Sequence, residues 1–355
     1  MTLPGSADAP WSTLTLPGLG GHIGPAPEDF RVEELPAYAP SGDGPHHYVQ
    51  IEKRGLSTGA VRDALARAAG VKPMDVGFAG RKDTQAVTRQ WFSLPVAPVM
   101  PEGPLFAESL RFLDAPVRHG NKLRLGHLKG NRFEIRLLDL PPGADERWPA
   151  LIKALSGGFP NYYGEQRFGR DARNIPDALA FLENPRRRVR DPEFLASVVQ
   201  SVVFNRWLGA RVRAGRLHRA ISGDVLKKRE TGGIFVCIDP ELDTPRLELG
   251  EVDPTGPMPG AKTFAAEGEE AALEAAALES LALSPESLAT LHRFAPGTRR
   301  AARAVATDLT FTLEGTTARL TFTLPAGCFA TVLLGELCQP AGPLRPSGAI
   351  EDAGA

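Results

Sequence analysis

Polar and apolar residues alternate near both ends of this chain and fall at helical spacing in between. His47–Lys53 alternates, with Val49 and Ile51 on one face, and predicts a half-buried strand. Ala86–Leu94 and Arg132–Leu138 alternate too, the second with Phe133, Ile135 and Leu137 together. Leu309–Leu313 and Ala318–Leu324 flank Glu314-Gly315-Thr316, a hairpin signal. Thr58–Ala69 instead gathers Val61, Leu65 and Ala68 on one stripe, with Gly70 placed to end a helix.

The middle of the chain is helical in pattern. Asp191-Pro192-Glu193 opens a helix, with Asp as cap and Pro at the first position. Leu195, Val198, Val199, Val202 and Val203 then recur at helical spacing until Gly215. Ser284-Pro285-Glu286 opens another helix, and the Glu/Ala-rich stretch 267–282 favours helix by propensity. Strands, helices, then strands suggest an α/β (α+β) chain whose sheet domain, 1–156 plus 304–340, is interrupted by a helix-rich insertion at 157–303. The first ~20 residues, rich in Pro, Gly and Ser, are expected to pack loosely, and 341–355 to form a disordered tail.

Composition changes this picture little. Of 355 residues, 42% are hydrophobic and 23% charged, enough for a sizeable core. No apolar run is long enough for a transmembrane helix, and the N-terminus lacks the pattern of a secretory signal, so a cytoplasmic protein is expected. Cys237, Cys328 and Cys338 have no paired spacing, and the seven histidines form no zinc set. Net charge is −1, but it is unevenly spread. Residues 118–136 carry six Lys/Arg and one acid, 206–219 carry five Arg and no acid, and Arg186, Arg187, Arg188 and Arg190 cluster. Residues 267–286 carry six Glu and no base. Local basic faces of this kind suit a polyanion, or are simply solvated.

Four segments could carry chemistry. In Gly77-Phe78-Ala79-Gly80-Arg81-Lys82-Asp83-Thr84-Gln85 two glycines bend the chain just before a Lys-Asp pair, which presents Asp83 on a tight loop at a strand end. Its carboxylate could be a nucleophile or a base, kept ionised by Lys82 or Arg81, or a turn aspartate paired with Lys82. A metal site is disfavoured, because no second acid stands at ligand spacing. Gly126-His127-Leu128-Lys129-Gly130-Asn131-Arg132-Phe133 sets an amide, cations and an aromatic together, as RNA contact requires or as a plain turn allows. Asn161-Tyr162-Tyr163-Gly164-Glu165-Gln166-Arg167-Phe168-Gly169 suits RNA contact or interdomain packing. In Leu324-Pro325-Ala326-Gly327-Cys328-Phe329, Pro and Gly set a bend that exposes Phe329 or buries it. No dinucleotide fingerprint, Walker A loop or nucleophile elbow is present.

Taken in order, these segments resemble the TruD family of tRNA pseudouridine synthases from ~27 to ~338. The series begins with Glu28-Asp29-Phe30-Arg31-Val32-Glu33-Glu34 and Lys53-Arg54-Gly55-Leu56-Ser57-Thr58. It continues through the Lys82-Asp83 loop with Thr88 and Gln90, Gly130-Asn131-Arg132-Phe133 and the 161–169 segment. Ser201-x-x-Phe204-Asn205, Thr255-Gly256-Pro257-Met258-Pro259-Gly260, whose Met258-Pro259 departs a little from the family's usual Gly-Pro-Leu-x-Gly, and Leu324-Pro325-x-Gly327-x-Phe329-Ala330-Thr331 complete it. Arg81 stands where this loop often has an uncharged residue, and Tyr163 where Phe is common. The resemblance implies a catalytic sheet domain with an insertion, and Asp83 as the catalytic residue. It implies contacts to the target nucleoside from Phe30, Asn131 and Phe329, with Lys82 and Phe133 beside them. It also implies uridine 13 of tRNA as substrate, no cofactor and no metal; a monomer is the default. The rival from another class is a non-catalytic RNA-binding protein or RNA chaperone.

Overall fold

Three inward side chains in a row, Phe30, Val32 and Glu34, put a strand at the centre of the largest sheet. The computed structural model describes residues 9–340 and 344. Its strands are β1 (His22–Ile23), β2 (Phe30–Pro36), β3 (His46–Arg54), β4 (Gly77–Phe78), β5 (Val87–Leu94), β6 (Leu110–Phe112), β7 (Val117–His119) and β8 (Leu128–Leu138). There follow β9 (Phe159–Pro160), β10 (Val225–Lys228), β11 (Ile234–Val236), β12 (Val252–Met258), β13 (Thr298–Ala301), β14 (Arg303–Ala304), β15 (Thr307–Glu314) and β16 (Thr317–Pro325). The helices are α1 (Thr58–Ala68), α2 (Pro104–Ser109), α3 (Ala144–Leu155), α4 (Asn174–Glu183), α5 (Pro192–Arg213), α6 (Pro240–Glu248), α7 (Gly268–Glu279), α8 (Pro285–Phe294) and α9 (Ala330–Cys338). No helix among the described residues is long and apolar enough to cross a membrane.

Among the described residues the largest sheet has ten strands, in the order β15-β16-β8-β2-β5-β3-β6, with β1 on β8, β4 on β5 and β7 on β3. β2 and β5 run parallel and the other pairs antiparallel, so the fold is mixed α/β, as the alternating segments predict. Register puts Lys53 opposite Thr88, Thr88 opposite Val32, Val32 opposite Phe133 and Phe133 opposite Phe322. Residues opposite one another share a face, so this row crosses the sheet on one side. α1 covers that side through Val61 and Leu65 against Val49, Ile51 and Phe92, and α9 through Leu333, Leu334 and Leu337 near Phe133 and Ile135. The other side shows Arg31, Glu33, Arg89, Arg132 and Glu134 around a shallow depression. One apolar and one polar face is the usual pattern of an antiparallel sheet.

α5 has no polar stripe: it buries Val198, Val199, Val202, Val203, Phe204 and Trp207 on several sides. Phe204 and Trp207 join the same apolar cluster as Phe133 and Ile135, while Val198 and Val199 belong to a second cluster with α4 and α8. Asp191 caps α5 through the Phe194 N–H at 2.9 Å, and Ser284 caps α8 through the Ser287 N–H at 3.1 Å, as their sequences foretell.

The expected helix-rich block also contains a four-stranded sheet, β11-β10-β12-β13, that the pattern does not announce. The reason lies in β12, whose sequence Val-Asp-Pro-Thr-Gly-Pro-Met carries two prolines. Proline is confined to strand edges because it donates nothing to the ladder. β12 meets that limit by pairing its first half with β10 and its second half with β13; both neighbours flank it at Thr255 alone. Gly256 is required here, since a Cβ would lie 2.1 Å from the Trp207 ring.

Two expectations need correction. Residues 9–20 are not loose: Ala9 and Leu19 are fully buried, and the buried Glu336 carboxylate of α9 accepts from Ser12 N at 2.8 Å and Thr13 N at 2.9 Å. A carboxylate sealed in the interior needs donors, and this segment supplies them. The arginines of 206–219 are not an open basic face either. Arg211 is buried against Asp224 at 2.6 Å and Glu270 at 3.3 Å, Arg216 pairs with Glu269, and Arg206 donates to Ser280 O at 2.8 Å. The acidic helix α7 supplies the partner acids Glu270 and Glu269 to Arg211 and Arg216. The tail at 341–355 lies outside the described residues except for Leu344, whose carbonyl accepts the Ile23 N–H.

Candidate active site

A cavity of about 600 Å³ opens over the covered face of the large sheet. Phe30, Lys82, Asp83, Asn131, Phe133 and Phe329, the residues singled out in the sequence, all line it. They come from four distant stretches of chain. Phe30 and Phe133, on adjacent strands, meet edge to face at 6.0 Å, and Phe133 stacks on Phe322 at 5.1 Å. Asn131 lies on β8 between Glu34 of β2 and Leu324 of β16, so it is a strand residue and not part of a turn. Among the described residues its buried side-chain oxygen has no partner. An unpaired buried acceptor costs about 1–3 kcal/mol, a sign that something else is meant to donate to it.

Asp83 sits in the loop between β4 and β5, and its neighbours hold that loop. Lys82 N donates to Thr58 Oγ1 at 2.9 Å, Thr58 Oγ1 to Gln90 Oε1 at 2.9 Å, and Gln90 Nε2 to Gly80 O at 3.2 Å. The Lys82 ammonium donates to the Glu34 carboxylate at 2.5 Å, and Glu34 also accepts the Trp91 N–H at 3.2 Å. Lys82 is therefore Glu34's partner and not Asp83's, contrary to the expectation that it holds the Asp83 charge. The cation that reaches the Asp83 loop is Lys53, fully buried, whose ammonium donates to Leu56 O at 2.6 Å and to Asp83 O at 3.0 Å.

Burial pushes the Lys53 pKa down to about 7; the Asp83 charge opposes this and the Lys82 charge adds to it. In the unfolded chain the group titrates near its ordinary 10.5. Between these values the unfolded state binds more protons, so stability rises with pH across that window, and below about 7 the penalty is complete. The unfolding free energy of wild type, less that of Lys53→Met, should therefore climb from about pH 7 to about pH 9.5 in urea titrations. A difference that stays flat would contradict this placement of the ammonium.

Phe329 is half buried at the start of α9, on the bend set by Pro325 and Gly327. Tyr163 meets its ring at 5.8 Å, and the Arg300 guanidinium lies 4.1 Å over Tyr163. Arg300 also donates to Gly327 O at 2.9 Å and Asn161 Oδ1 at 2.7 Å. Asn205 grips the Tyr163 backbone from both sides, accepting its N–H at 2.8 Å and donating to its carbonyl at 3.0 Å. A Cβ on Gly164 would lie 2.6 Å from Gln166 and 3.1 Å from the Phe329 ring. The 161–169 segment is thus packing for the Phe329 bend, and of it only Gln166 lines the cavity.

Sequence reasoning missed Glu34 and Lys53 as supports of the loop. A signal existed: each continues an apolar face of an alternating strand, Glu34 after Phe30 and Val32, Lys53 after Val49 and Ile51. It also missed that the α1 N-terminus, Ser57 to Ala60, lines the cavity with Arg62 and Arg190. No spacing in the chain reveals that approach.

The family model for tRNA pseudouridine synthase D (TruD) matches residues 8–177 and 192–337. The chain belongs to the TruD family. It is thus a member of a family of pseudouridine synthases. It is 45% identical over 344 residues to the tRNA pseudouridine synthase D of Anaeromyxobacter sp. strain Fw109-5, covering 94% of this chain and 96% of that one. It is 40% identical over 336 residues to a tRNA pseudouridine synthase D of Thermus thermophilus, covering 93% and 92%. The fold matches the crystal structure of a Methanosarcina mazei protein assigned to TruD, with a TM-score of 0.71 over 96% of this chain and 99% of that one, at 22% identity. The TruD resemblance drawn from short motifs thus extends over nearly the whole chain. Among the described residues no cluster of three or more His, Cys, Asp or Glu is arranged to hold a metal ion.

Proposed function

We propose that this protein isomerises uridine 13 of tRNA to pseudouridine, with Asp83 as the catalytic carboxylate. The observation that carries the reading is the cavity itself. It brings Asp83, the Asn131 amide with its unpaired acceptor, and the rings of Phe30, Phe133 and Phe329 to a single space. Uracil needs these groups. It must be detached from C1′, turned, and rejoined through C5, while a proton leaves C5; there is no net redox change. Asp83 breaks the glycosidic bond either by adding to C1′ or by taking the C2′ proton. The Asn131 oxygen accepts from a uracil N–H, and Phe329 covers the ring so that the freed base stays in place. Lys82 and Phe133 form the wall behind it. We assign residues 1–156 with 304–340 to the catalytic unit and 157–303 to an insertion. We place the protein in the cytoplasm as a monomer.

The direct test is release of tritium from tRNA labelled at uridine C5, followed by mapping of the modified position. Label retained on tRNA, or pseudouridine at another position, would refute the activity or the position respectively. A base stacked on an aromatic ring gains about 1–3 kcal/mol. Phe329→Ala should therefore lower kcat/KM by about 5- to 150-fold, while Phe329→Tyr keeps most of it. Equal rates for wild type and Phe329→Ala would remove the ring from the site.

A further inference from the structure

One end of the cavity is lined by three guanidinium groups that the chemistry above does not use. Arg62 stands on the first turns of α1, Arg81 on the Asp83 loop, and Arg190 just before α5. Two acids lie close, and against three guanidinium groups they leave an excess of positive charge. Asp63 pairs with Arg62 at 2.8 Å, and Asp191 is occupied in capping α5 through the Phe194 N–H. Among the described residues neither Arg81 nor Arg190 has an acid within salt-bridge distance. Arg81 and Arg190 are exposed and Arg62 is half buried, so a ligand can reach all three. The N-terminal turn of α1, from Ser57 to Ala60, faces the same space. Like charges gathered in excess of the acids around them repel one another, and a bound anion relieves that repulsion. Consistent with this, the Arg81 pKa is lowered first by burial and then by the Arg62 and Arg190 charges, with Asp191 opposing.

We propose that Arg62, Arg81 and Arg190 together hold one phosphodiester of the RNA strand directly beside the target nucleotide. The planar guanidinium fork matches phosphate oxygens in pairs, which a lysine cannot do. The helix end adds its dipole to the same point. Arg190 approaches from the helix-rich segment and the other two from beside the large sheet. The phosphate therefore ties both walls of the cavity and fixes the ribose over Asp83. This assignment rests on RNA being the substrate.

The test uses the full-length protein with Arg81→Gln and Arg190→Gln, checked for unchanged thermal unfolding. The substrate is a uridine-13 tRNA, native or carrying an uncharged methylphosphonate at the link 5′ or 3′ of the target. On native tRNA each variant should lose about 10-fold in kcat/KM at low salt, and its log–log salt slope should fall by about one. One of the two methylphosphonates should cost the wild type a similar factor. On that substrate Arg81→Gln should lose no more than about twofold further. If the losses from Arg81→Gln and from both methylphosphonates multiply, or if the variants match wild type on native tRNA, the phosphate assignment is overturned. Wild-type protein inert on every native tRNA would instead overturn the uridine reading beneath it.

Discussion

Asp83→Asn should remove about 10⁴-fold or more of kcat while leaving tRNA affinity within roughly threefold. Asparagine matches the shape of the carboxylate but neither adds to C1′ nor takes a proton from C2′. The loop should survive the change, because its fastenings bypass this side chain. They run through Lys82 N to Thr58, the Lys82 ammonium to Glu34, Gln90 to Gly80 O, and Lys53 to the Asp83 backbone carbonyl. The phosphate contacts and the Phe329 stack proposed above would likewise be untouched. Tritium release and filter binding on one preparation measure both quantities. If the purified variant kept even a few per cent of wild-type turnover, another group would have to be doing the chemistry.

Glu34→Ala should be the most damaging change that never touches the substrate. Its side chain is 1% exposed and that of Lys82 4%, so removing one partner strands the other as an uncompensated charge. Such a loss costs about 3–5 kcal/mol. The Trp91 N–H also loses its acceptor, and the ammonium beside Asp83 is freed to move. Urea unfolding should show the loss of stability, and kcat should fall in the fraction that stays folded. The double change Glu34→Gln with Lys82→Met removes both charges and should recover most of the stability. An unfolding free energy for Glu34→Ala within about 1 kcal/mol of wild type would mean that the pair carries little weight.

Much of the fold was legible because local rules and tertiary packing agree. The alternation in His47–Lys53 and Ala86–Leu94, the caps at Asp191 and Ser284, and the hairpin around Gly315 all correspond to elements with nearly those bounds. The four-stranded sheet was not legible, since β12 breaks strand preferences with two prolines, Pro254 opposite β10 and Pro257 opposite β13. The open basic face expected of the arginines of 206–219, whether bound to a polyanion or solvated, is absent at Arg206, Arg211 and Arg216 for a related reason. Charge counted along a chain cannot show that α7, some sixty residues on, folds back to pair with Arg211 and Arg216. At the site, Asp83, Asn131 and Phe329 could be picked out only through the ordered series of motifs shared with the TruD family, since each alone also suits an ordinary turn or core position. Lys53 and Glu34 look like ordinary strand ends, although a charge on an apolar face is a demand for a buried partner. Arg62 and Arg190 depend wholly on how α1 and the start of α5 come to face each other.

β16 lies between β15 and β8, and it lays Leu324 alongside Asn131. The ion pair that crosses this seam, Arg319 to Glu134, joins residues 185 positions apart. On the ribosome, β8 therefore emerges long before the strand that covers it. Until then one of its edges offers open backbone donors and acceptors to any passing strand. The cavity is thus completed late, when the final hairpin brings up Cys328, Phe329 and Ala330, and a chain stalled before residue 317 presents a sticky border in place of that wall.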